Sequence, residues 1–176
     1  MKAFVTSIGE PTTDLCVWAL ERNGFDVEIV KGKSKLAEKL KYIYETADDD
    51  FLRVDADVIV NNKCLPTLQS INWWTQFQTF DWYKQALTYG GVQLIKKECL
   101  PILRDRIDDF MQTERPETAI YRINEFMYPR RCTSLNMVVG IHGYGIEDIE
   151  NVIATKTRRN QLDDYDFELA ERLNEL

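Results

Sequence analysis

Apolar residues in the first third of the chain alternate between short runs and the spacing of an amphipathic helix. The runs predict strands over 3–8 and 25–30, with a helix between them that begins at Thr12 or Thr13 and ends at Asn23-Gly24. A second helix follows Gly32 and ends near 47–50. This alternation predicts an α/β fold with a mostly parallel, Rossmann-like sheet flanked by helices and joined by right-handed crossovers.

The apolar stretch from Asp50 to Val60 is predicted to be one buried strand at the centre of that sheet. Two carboxylates, Asp55 and Asp57, interrupt it, and residues two apart on an extended strand point the same way. Buried carboxylates are unfavourable unless compensated, so we expect them where the strand leaves the core, with a cation between them. Oxygen ligands favour Mg²⁺ or Mn²⁺. A solvated turn between two short strands is the alternative.

Composition limits the class of protein. The chain has 176 residues, of which 44% are hydrophobic, and this fits one globular unit. We predict one domain over 1–150 and an acidic C-terminal helix over 151–176 that packs on it. The net charge of -7 and the lack of a basic stripe argue against a nucleic-acid partner.

Targeting and redox features indicate a cytoplasmic protein. No apolar run approaches the length of a transmembrane segment, and the N-terminal apolar run is too short for a signal peptide. The four cysteines, Cys16, Cys64, Cys99 and Cys132, form no CxxC pair and are expected to be reduced. The chain contains neither Gly-x-Gly-x-x-Gly nor a Walker loop, which weakens dinucleotide and P-loop interpretations.

Two motifs in the right order resemble the nucleotide-diphosphosugar transferases of GT-A fold. The family has Gly-Lys-x-x-Ala-x-Asn on a helix followed by a strand that ends in Asp-x-Asp, and 32–40 and 51–57 here are similar, without the Asn. The segment 89–100 resembles the family's glycine-containing strand and following helix, which shape the acceptor side. A looser match places 115–123 where the family often has its acidic pair. The resemblance covers residues 3 to 145.

The resemblance implies a metal site and a nucleotide-sugar site. Asp57 would bind Mn²⁺ or Mg²⁺, Asp55 would bind the ribose or complete the metal position, and His142 would return as a late ligand. The alternative for His142, the only histidine, is a turn residue bonded to backbone. The nucleotide-sugar donor would meet a set of residues at strand ends and one helix start: Thr6, Ser7, Glu10, Lys33, Lys35, Asp55 and Gly91. For the two lysines, a solvated basic loop is the alternative.

Glu117 is the candidate catalytic base, since a carboxylate can take the proton from an acceptor hydroxyl. The alternative is that Glu117 is simply an acid in the first turn of a helix after Pro116. If it is not the base, a retaining mechanism becomes possible.

The segment 71–83 holds three of the four tryptophans. Aromatic rings there are expected to be mostly core, with one or two lining an acceptor site, and a homo-oligomer contact is the alternative.

The sequence thus predicts a metal-dependent glycosyltransferase of hexosyltransferase type. It would move a sugar from a nucleoside-diphosphate sugar to a hydroxyl of an acceptor whose kind, glycan, lipid-linked or protein, the sequence does not specify. A nucleotidyltransferase of related fold is one rival, although Ser7 to Thr13 lacks the Gly-rich, Arg-containing signature. A catalytically silent nucleotide-sugar-binding or assembly protein is the other.

Overall fold

The computed structural model describes residues 1–32, 35–61, 72–82, 84–113 and 115–143. Seven strands and four α-helices are assigned within these ranges, with short 3₁₀ turns at Lys97–Cys99 and Ile107–Phe110. The strands are β1 (Lys2–Thr6), β2 (Asp26–Val30), β3 (Phe51–Asp55), β4 (Val58–Val60), β5 (Trp74–Asp81), β6 (Ala86–Ile95) and β7 (Cys132–His142). The helices are α1 (Thr13–Arg22), α2 (Leu36–Thr46), α3 (Leu100–Arg106) and α4 (Pro116–Met127).

The strands form one curled, mixed sheet in the order β2-β1-β3-β6-β5-β7-β4. β1 pairs in parallel with β2 and β3, as the β-α-β-α-β pattern predicts. β5 pairs in parallel with β7, whereas β3–β6, β5–β6 and β4–β7 are antiparallel. The predicted α/β class, with a single domain and helices on the sheet, is therefore confirmed, and the sheet is mixed beyond its first three strands.

The stretch from Asp50 to Val60 is not one strand, which corrects the prediction from its apolar pattern. The chain turns at Ala56 and Asp57, so that β3 stays beside β1 while β4 joins β7 at the other end of the sheet order. Backbone bonds hold this turn: the amide of Ala56 donates to the carbonyl of Thr6 at 3.2 Å, and the amide of Gly143 donates to the carbonyl of Asp57 at 2.9 Å. The alternative of two short strands with a turn between them is the correct one.

Helices cover both faces of the sheet. On one face, α1 packs through Cys16, Ala19 and Leu20 against the even-numbered residues of β3. On the other face, α2, α3 and α4 pack over Phe51, Trp74 and a row of further apolar residues. The odd-numbered residues of β3 point to this second face, because side chains alternate along a strand. The carboxylate of Asp55 therefore lies on the same side of the sheet as α2 and α4.

The remaining sequence predictions divide by location. In the aromatic segment, Trp74 and Phe77 are fully buried, Trp73 and Phe80 are half-buried and Trp82 is 46% exposed, so fewer of the described aromatic side chains are core than expected. Cys16, Cys99 and Cys132 are free and buried. Lys33 and the whole predicted C-terminal helix over 151–176 lie outside the described residues. No α-helix in the described ranges is both long and apolar enough to span a membrane.

Candidate active site at the strand ends

Three side chains meet where β3, β5 and β7 end: Asp57, Asp81 and His142. We call these three residues and Asp55 the strand-end cluster. His142 lies between two carboxylates. Its Nε2 is 3.1 Å from Oδ2 of Asp57, and its Nδ1 is 3.3 Å from Oδ2 of Asp81. Because each ring nitrogen faces a carboxylate oxygen, the orientation of the imidazole is fixed from both sides.

Sheet register accounts for this meeting of residues distant in sequence. Val58 pairs with His142 in the antiparallel β4–β7 ladder, so Asp57 in the preceding turn reaches the imidazole from one side. Asp81 pairs with His142 in the parallel β5–β7 ladder and reaches it from the other side. The small strand β4, which the chain gains by turning at Ala56 and Asp57, thus brings Asp57 to His142, and the β5–β7 pairing brings Asp81.

Gly91 allows the elements around the strand-end cluster to approach closely. A Cβ atom at Gly91 would lie 2.7 Å from Cγ2 of Val58, 3.7 Å from Cδ2 of His142 and 3.9 Å from Oδ2 of Asp55. The first distance is far inside van der Waals contact, so no larger residue fits unless the Val58 side chain or β4 moves. Gly91 therefore lies beside the predicted site, where its structural contribution is the absence of a side chain.

Asp55 is held separately from Asp57. Its Oδ1 accepts a 3.0 Å hydrogen bond from Oγ1 of Thr6 and forms an ion pair with Nη2 of Arg53. Arg53 is 1% exposed and also donates from Nη1 to the carbonyl of Gly90 at 3.2 Å. A buried guanidinium therefore compensates part of the negative charge at the end of β3. From the sequence, a metal ion alone was expected to do so.

Electrostatics at the cluster favour a positive charge at its centre. Burial alone would lower the pKa of His142, but hydrogen bonds to Asp57 and Asp81 outweigh it and raise the pKa to about 10. Burial raises the pKa of Asp55, Arg53 opposes that effect, and the nearby charge of Asp57 adds to it. When its carboxylates are ionised, the cluster keeps the imidazole protonated at neutral pH. The positive charge of the ring then compensates part of the negative charge of the carboxylates.

The donor set suits a divalent cation, although the side chains are not arranged around one. Among the described residues, no group of three or more His, Cys, Asp or Glu side chains is placed to enclose a metal ion. Carboxylate oxygens with one imidazole nitrogen are nevertheless ligands that Mn²⁺ accepts. Asp81 contacts Nδ1, which directs Nε2 toward Asp57. Metal-binding histidines commonly donate their other ring N–H to a carboxylate in this way. The residues therefore fit a cation that would replace the proton of His142.

The loop after β1 is organised largely by its own polar groups. The carboxylate of Glu10 accepts 2.8 Å hydrogen bonds from Oγ of Ser7 and from the amide of Ile8. Ser7 also lies 3.0 Å from Oγ1 of Thr13 and accepts from the amide of Gly9. Ser7 and Glu10, predicted to contact the nucleotide, thus form the turn at the end of β1, while Thr6 contacts Asp55 directly.

A buried lysine of α2 binds the loop after β1. Lys39 of α2 is 2% exposed, and its Nζ donates to the carbonyl of Ser7 at 2.7 Å. Burial lowers its pKa, and the charges of Glu10 and Asp55 partly counter that effect. By contrast, Lys35 is exposed and its Nζ donates to Oε1 of Gln112 at 2.7 Å. Lys39 therefore lies near the strand ends, whereas Lys35, which was predicted to lie there, does not.

Glu117 lies in the first turn of α4, at the edge of a cavity of about 250 Å³ that we call the α4 cavity. It is 8% exposed; its Oε1 accepts from Oγ1 of Thr118 at 3.2 Å and lies 3.6 Å from Nε of Arg115. Gly90, whose carbonyl contacts Arg53, lines the same cavity. Arg53 thus contacts both Asp55 and a residue that lines the α4 cavity. The charge of Glu117 adds a small contribution that raises the pKa of Asp55, after burial and the charge of Asp57.

Three residues of the site were missed from the sequence: Arg53, Lys39 and Asp81. Arg53 and Lys39 could have been found as charged residues at positions where the strand and helix patterns require burial. Asp81 gives no such signal, because its role depends on the pairing of β5 with β7.

Comparisons with known proteins support the fold. No family model matches the chain, and no curated protein matches it. The solved structures that resemble it include 4-diphosphocytidyl-2C-methyl-D-erythritol synthase from Anaerococcus prevotii, with a TM-score of 0.57 at 11% identity, covering 89% of this chain and 97% of that one. A glycosyltransferase involved in the glycosylation of the major capsid of PBCV-1 gives a TM-score of 0.55 at 15% identity, covering 81% of this chain and 93% of that one.

A third structure, the apo glycosyltransferase GlyE of Streptococcus pneumoniae, gives a TM-score of 0.54 at 13% identity and covers 99% of this chain and 63% of that one. These neighbours are GT-A-like transferases, both glycosyltransferases and a nucleotidyltransferase. At such identities the comparison establishes the GT-A-like fold, and function must be argued from the residues of the site.

Proposed function

We propose that the protein is a metal-dependent glycosyltransferase that uses a nucleoside-diphosphate sugar as donor. The observation that carries the proposal is the convergence of Asp55, Asp57 and His142 at the ends of strands in a GT-A-like fold. Three of the residues around this point, Asp55, Asp57 and Asp81, are acids, so a diphosphate would be repelled without a cation to neutralise it. Mn²⁺ or Mg²⁺ bound there would stabilise the charge that grows on the leaving diphosphate.

Each residue of the cluster has a distinct part in this proposal. Asp57 and Nε2 of His142 would be direct ligands, because they already face one another across 3.1 Å. Asp81 would keep the proton on Nδ1, so that Nε2 stays available. Asp55, held by Arg53 and Thr6, would accept from the ribose or complete the metal position. Gly91 keeps the space beside Asp55 and His142 free of a side chain.

The loop after β1 is the proposed side for the nucleotide. Thr6, Ser7 and Glu10 lie at the end of a strand that pairs with β3, next to Asp55. Lys39 is added to the proposed donor site as the buried charge that fixes this loop through the carbonyl of Ser7. Lys33 and Lys35 remain proposed phosphate contacts, and Lys35 would have to leave Gln112 to make one.

Glu117 is the proposed base. It would take the proton of an acceptor hydroxyl while that oxygen bonds to the anomeric carbon and the bond from that carbon to the diphosphate breaks. Its Oε2 is buried and has no hydrogen-bond partner among the described residues, so it can accept a proton donor without losing an existing bond. An inverting mechanism follows from this role.

The test is a thermal-shift screen of nucleoside diphosphates with and without Mn²⁺, because a ligand that binds only the folded state raises its melting temperature. A positive pair is then assayed with the matching nucleotide sugar for release of nucleoside diphosphate. Stabilisation that needs both nucleotide and metal, followed by such release, supports the proposal. Failure of every diphosphate to stabilise the protein in the presence of Mn²⁺ or Mg²⁺ would contradict it.

The fold neighbours include a nucleotidyltransferase, so that rival is tested in the same assay. A nucleotidyltransferase consumes a nucleoside triphosphate and a sugar phosphate or alcohol phosphate and releases pyrophosphate. A catalytically silent binding protein would be stabilised by nucleotide and metal but release neither product. Pyrophosphate release or binding without turnover would therefore each replace the glycosyltransferase proposal with a specific alternative.

A further inference from the structure

Three residues that line the α4 cavity, Gln93, Gln76 and Ser134, belong to one polar row across the sheet, and Arg53 continues that row beyond the lining. Arg53 of β3 pairs with Gln93 of β6, Gln93 pairs with Gln76 of β5, and Gln76 pairs with Ser134 of β7. Residues directly opposite one another on neighbouring strands share a face, so these four side chains project toward the same helices. The neighbouring row on the same face is the apolar set Phe51, Ile95, Trp74 and Cys132. A polar row beside an apolar one is unusual beneath a helix and calls for a chemical reason.

Burial along the polar row falls from one end to the other. Arg53 and Gln93 are 1% and 0% exposed, Gln76 is half-buried and Ser134 is exposed. The cavity is therefore deep beside β3 and β6 and opens toward β7, where the hydroxyl of Tyr121 lies 3.3 Å from Oγ of Ser134. A ligand that entered past Ser134 would advance toward Gln93, Glu117 and the Arg53–Asp55 pair.

Polar atoms at the deep end lack partners. Both side-chain atoms of the Gln93 amide, Nε2 and Oε1, are buried without a hydrogen bond among the described residues, and so is Oε2 of Glu117. Buried polar groups in folded proteins are almost always bonded to protein, water or a ligand. A ligand group that donates to Oε1 of Gln93 or Oε2 of Glu117, or that accepts from Nε2 of Gln93, would satisfy these atoms. Hydroxyl groups do both.

The charges around the cavity are balanced. Arg115 and Arg122 line it together with Glu117 and Glu125, two cations with two anions. Arg115 and Glu117 already lie 3.6 Å apart. An anionic ligand would meet the unpartnered oxygen of Glu117, and a cationic one would meet two arginines. The balance favours an uncharged ligand.

We propose that the α4 cavity binds a neutral sugar ring whose hydroxyl groups hydrogen-bond the Gln93 amide and Glu117. At about 250 Å³ the cavity lies below the range of ordinary drug-sized sites, which fits a single ring rather than a nucleotide. The proposal rests on the proposed function in one respect, since the ring would be the acceptor that presents its hydroxyl to Glu117. Binding of the free sugar itself requires neither nucleotide nor metal.

The experiment measures free monosaccharides binding to the full chain without nucleotide or metal. The probes are glucose, galactose, mannose and N-acetylglucosamine, with glucuronate as the charged counterpart. Saturation-transfer NMR detects the sugar, and the side-chain amide signals of ¹⁵N-labelled protein report on Gln93, assigned by comparison with Gln93→Leu. The matched control is Gln78→Leu, which changes a half-buried glutamine of β5 outside the cavity lining.

At least one neutral sugar is expected to shift the Gln93 amide signals. Glucuronate is expected to bind about tenfold more weakly or not at all, because its carboxylate cannot donate a hydrogen bond to Glu117. The loss of one hydrogen bond to a charged group is large enough for this difference. Gln93→Leu should lose saturation transfer while Gln78→Leu keeps it. Absence of binding by all four neutral sugars, which would leave water alone as the partner of the amide, overturns the proposal. Equal binding by Gln93→Leu overturns it as well.

The outcome is separable from the proposed function. Sugar binding that persists in Asp57→Asn, with nucleotide binding lost or absent, would support the cavity whatever the strand-end cluster does. Nucleotide and metal binding without any sugar binding would leave the transferase proposal standing and remove the acceptor assignment.

Discussion

The strand-end cluster and the α4 cavity are both polar regions on the sheet, and they differ in how their polar atoms are satisfied. In the cluster, Asp57, Asp81 and His142 bond to one another, and Asp55 bonds to Arg53. In the cavity, the Gln93 amide and one oxygen of Glu117 have no partner among the described residues. The cluster has an excess of acids, whereas the charges around the cavity balance.

This difference indicates two kinds of ligand. In the proposed function, a cation takes the place of the proton that the acidic cluster holds on His142. A neutral pocket with unbonded donors and acceptors suits a molecule that supplies both kinds of hydrogen bond. The two regions meet at Arg53, whose guanidinium contacts Asp55 on one side and the carbonyl of Gly90 on the other. A donor and an acceptor bound in these regions would therefore lie side by side.

The largest effect is expected from breaking the ion pair that joins the two regions. Arg53→Met should destabilise the fold by about 3 kcal/mol, the lower end of the range for breaking a buried ion pair, because it leaves the half-buried carboxylate of Asp55 without its compensating charge. Urea unfolding measures the change. Arg53→Met combined with Asp55→Asn should recover part of the loss, since the uncompensated carboxylate is then gone. A double variant no more stable than Arg53→Met would show that the guanidinium acts through packing alone.

Gly91→Ala should cost about 1–3 kcal/mol, the usual penalty for forcing an extra group into a packed core. The added Cβ would lie 2.7 Å from Cγ2 of Val58, so β4 or Val58 must move. Combining it with Val58→Ala removes the clashing methyl group and should cost less than the sum of the two single variants. Urea unfolding of all four proteins measures this coupling, and strict additivity would contradict the close approach.

The pKa of His142 gives a pH dependence with a defined sign. The folded-state pKa of about 10 lies above the ordinary value of 6.5, so the stabilisation is complete below about pH 6.5 and is lost as pH rises toward 10. The free energy of unfolding of the metal-free protein should therefore fall over this window, by no more than about 1.4 kcal/mol per pH unit.

His142→Gln should flatten that part of the pH profile. Because the chain has only one histidine, NMR titration of the imidazole measures the pKa without ambiguity. Asp81→Asn should lower it by removing one of the two carboxylates, and Asp57→Asn should do the same from the other side. A midpoint near 6.5 in the unaltered protein would show that the two aspartates do not hold the ring as a cation.

The smallest effect belongs to the cavity. Gln93→Leu should change the free energy of unfolding by less than about 1 kcal/mol, or increase it, because it removes two unbonded buried polar atoms and keeps a similar volume. Gln78→Leu is the matched control. A loss of several kcal/mol at Gln93 alone would mean that its amide is well bonded in the folded protein, and the contrast between the two regions would fail.

The local parts of the fold could be predicted from the sequence, because they depend on periodicity. The first three strands and the two helices between them follow from apolar spacing, from Gly24 after α1 and from the run around Asp55. The prediction of one continuous strand was wrong at the turn at Asp57. Its apolar neighbours on both sides read as one strand, whereas the carboxylate and the pairing of β4 with β7 end the strand at Asp55.

The site residues could be predicted only where a short segment of sequence indicates their chemistry. Asp55, Asp57, Glu117 and His142 could be named as candidates from their residue types and from family resemblance. The contacts of His142 with Asp81 and of Asp55 with Arg53 depend on long-range register, which residue spacing does not encode. The α4 cavity depends on β6, β5 and β7 aligning one polar residue each opposite α4, so no single stretch of sequence contains it.

The central claim is that a divalent cation at Asp57 carries the binding of a nucleoside diphosphate. Isothermal titration calorimetry of the diphosphate that stabilises the protein best, with and without Mn²⁺, tests it most directly in the unaltered protein and in Asp57→Asn. The account predicts binding that requires Mn²⁺ and weakens by at least about tenfold in Asp57→Asn, roughly the loss of one bond to a charged group. Equal affinity of the two proteins for the diphosphate in the presence of Mn²⁺ would contradict it.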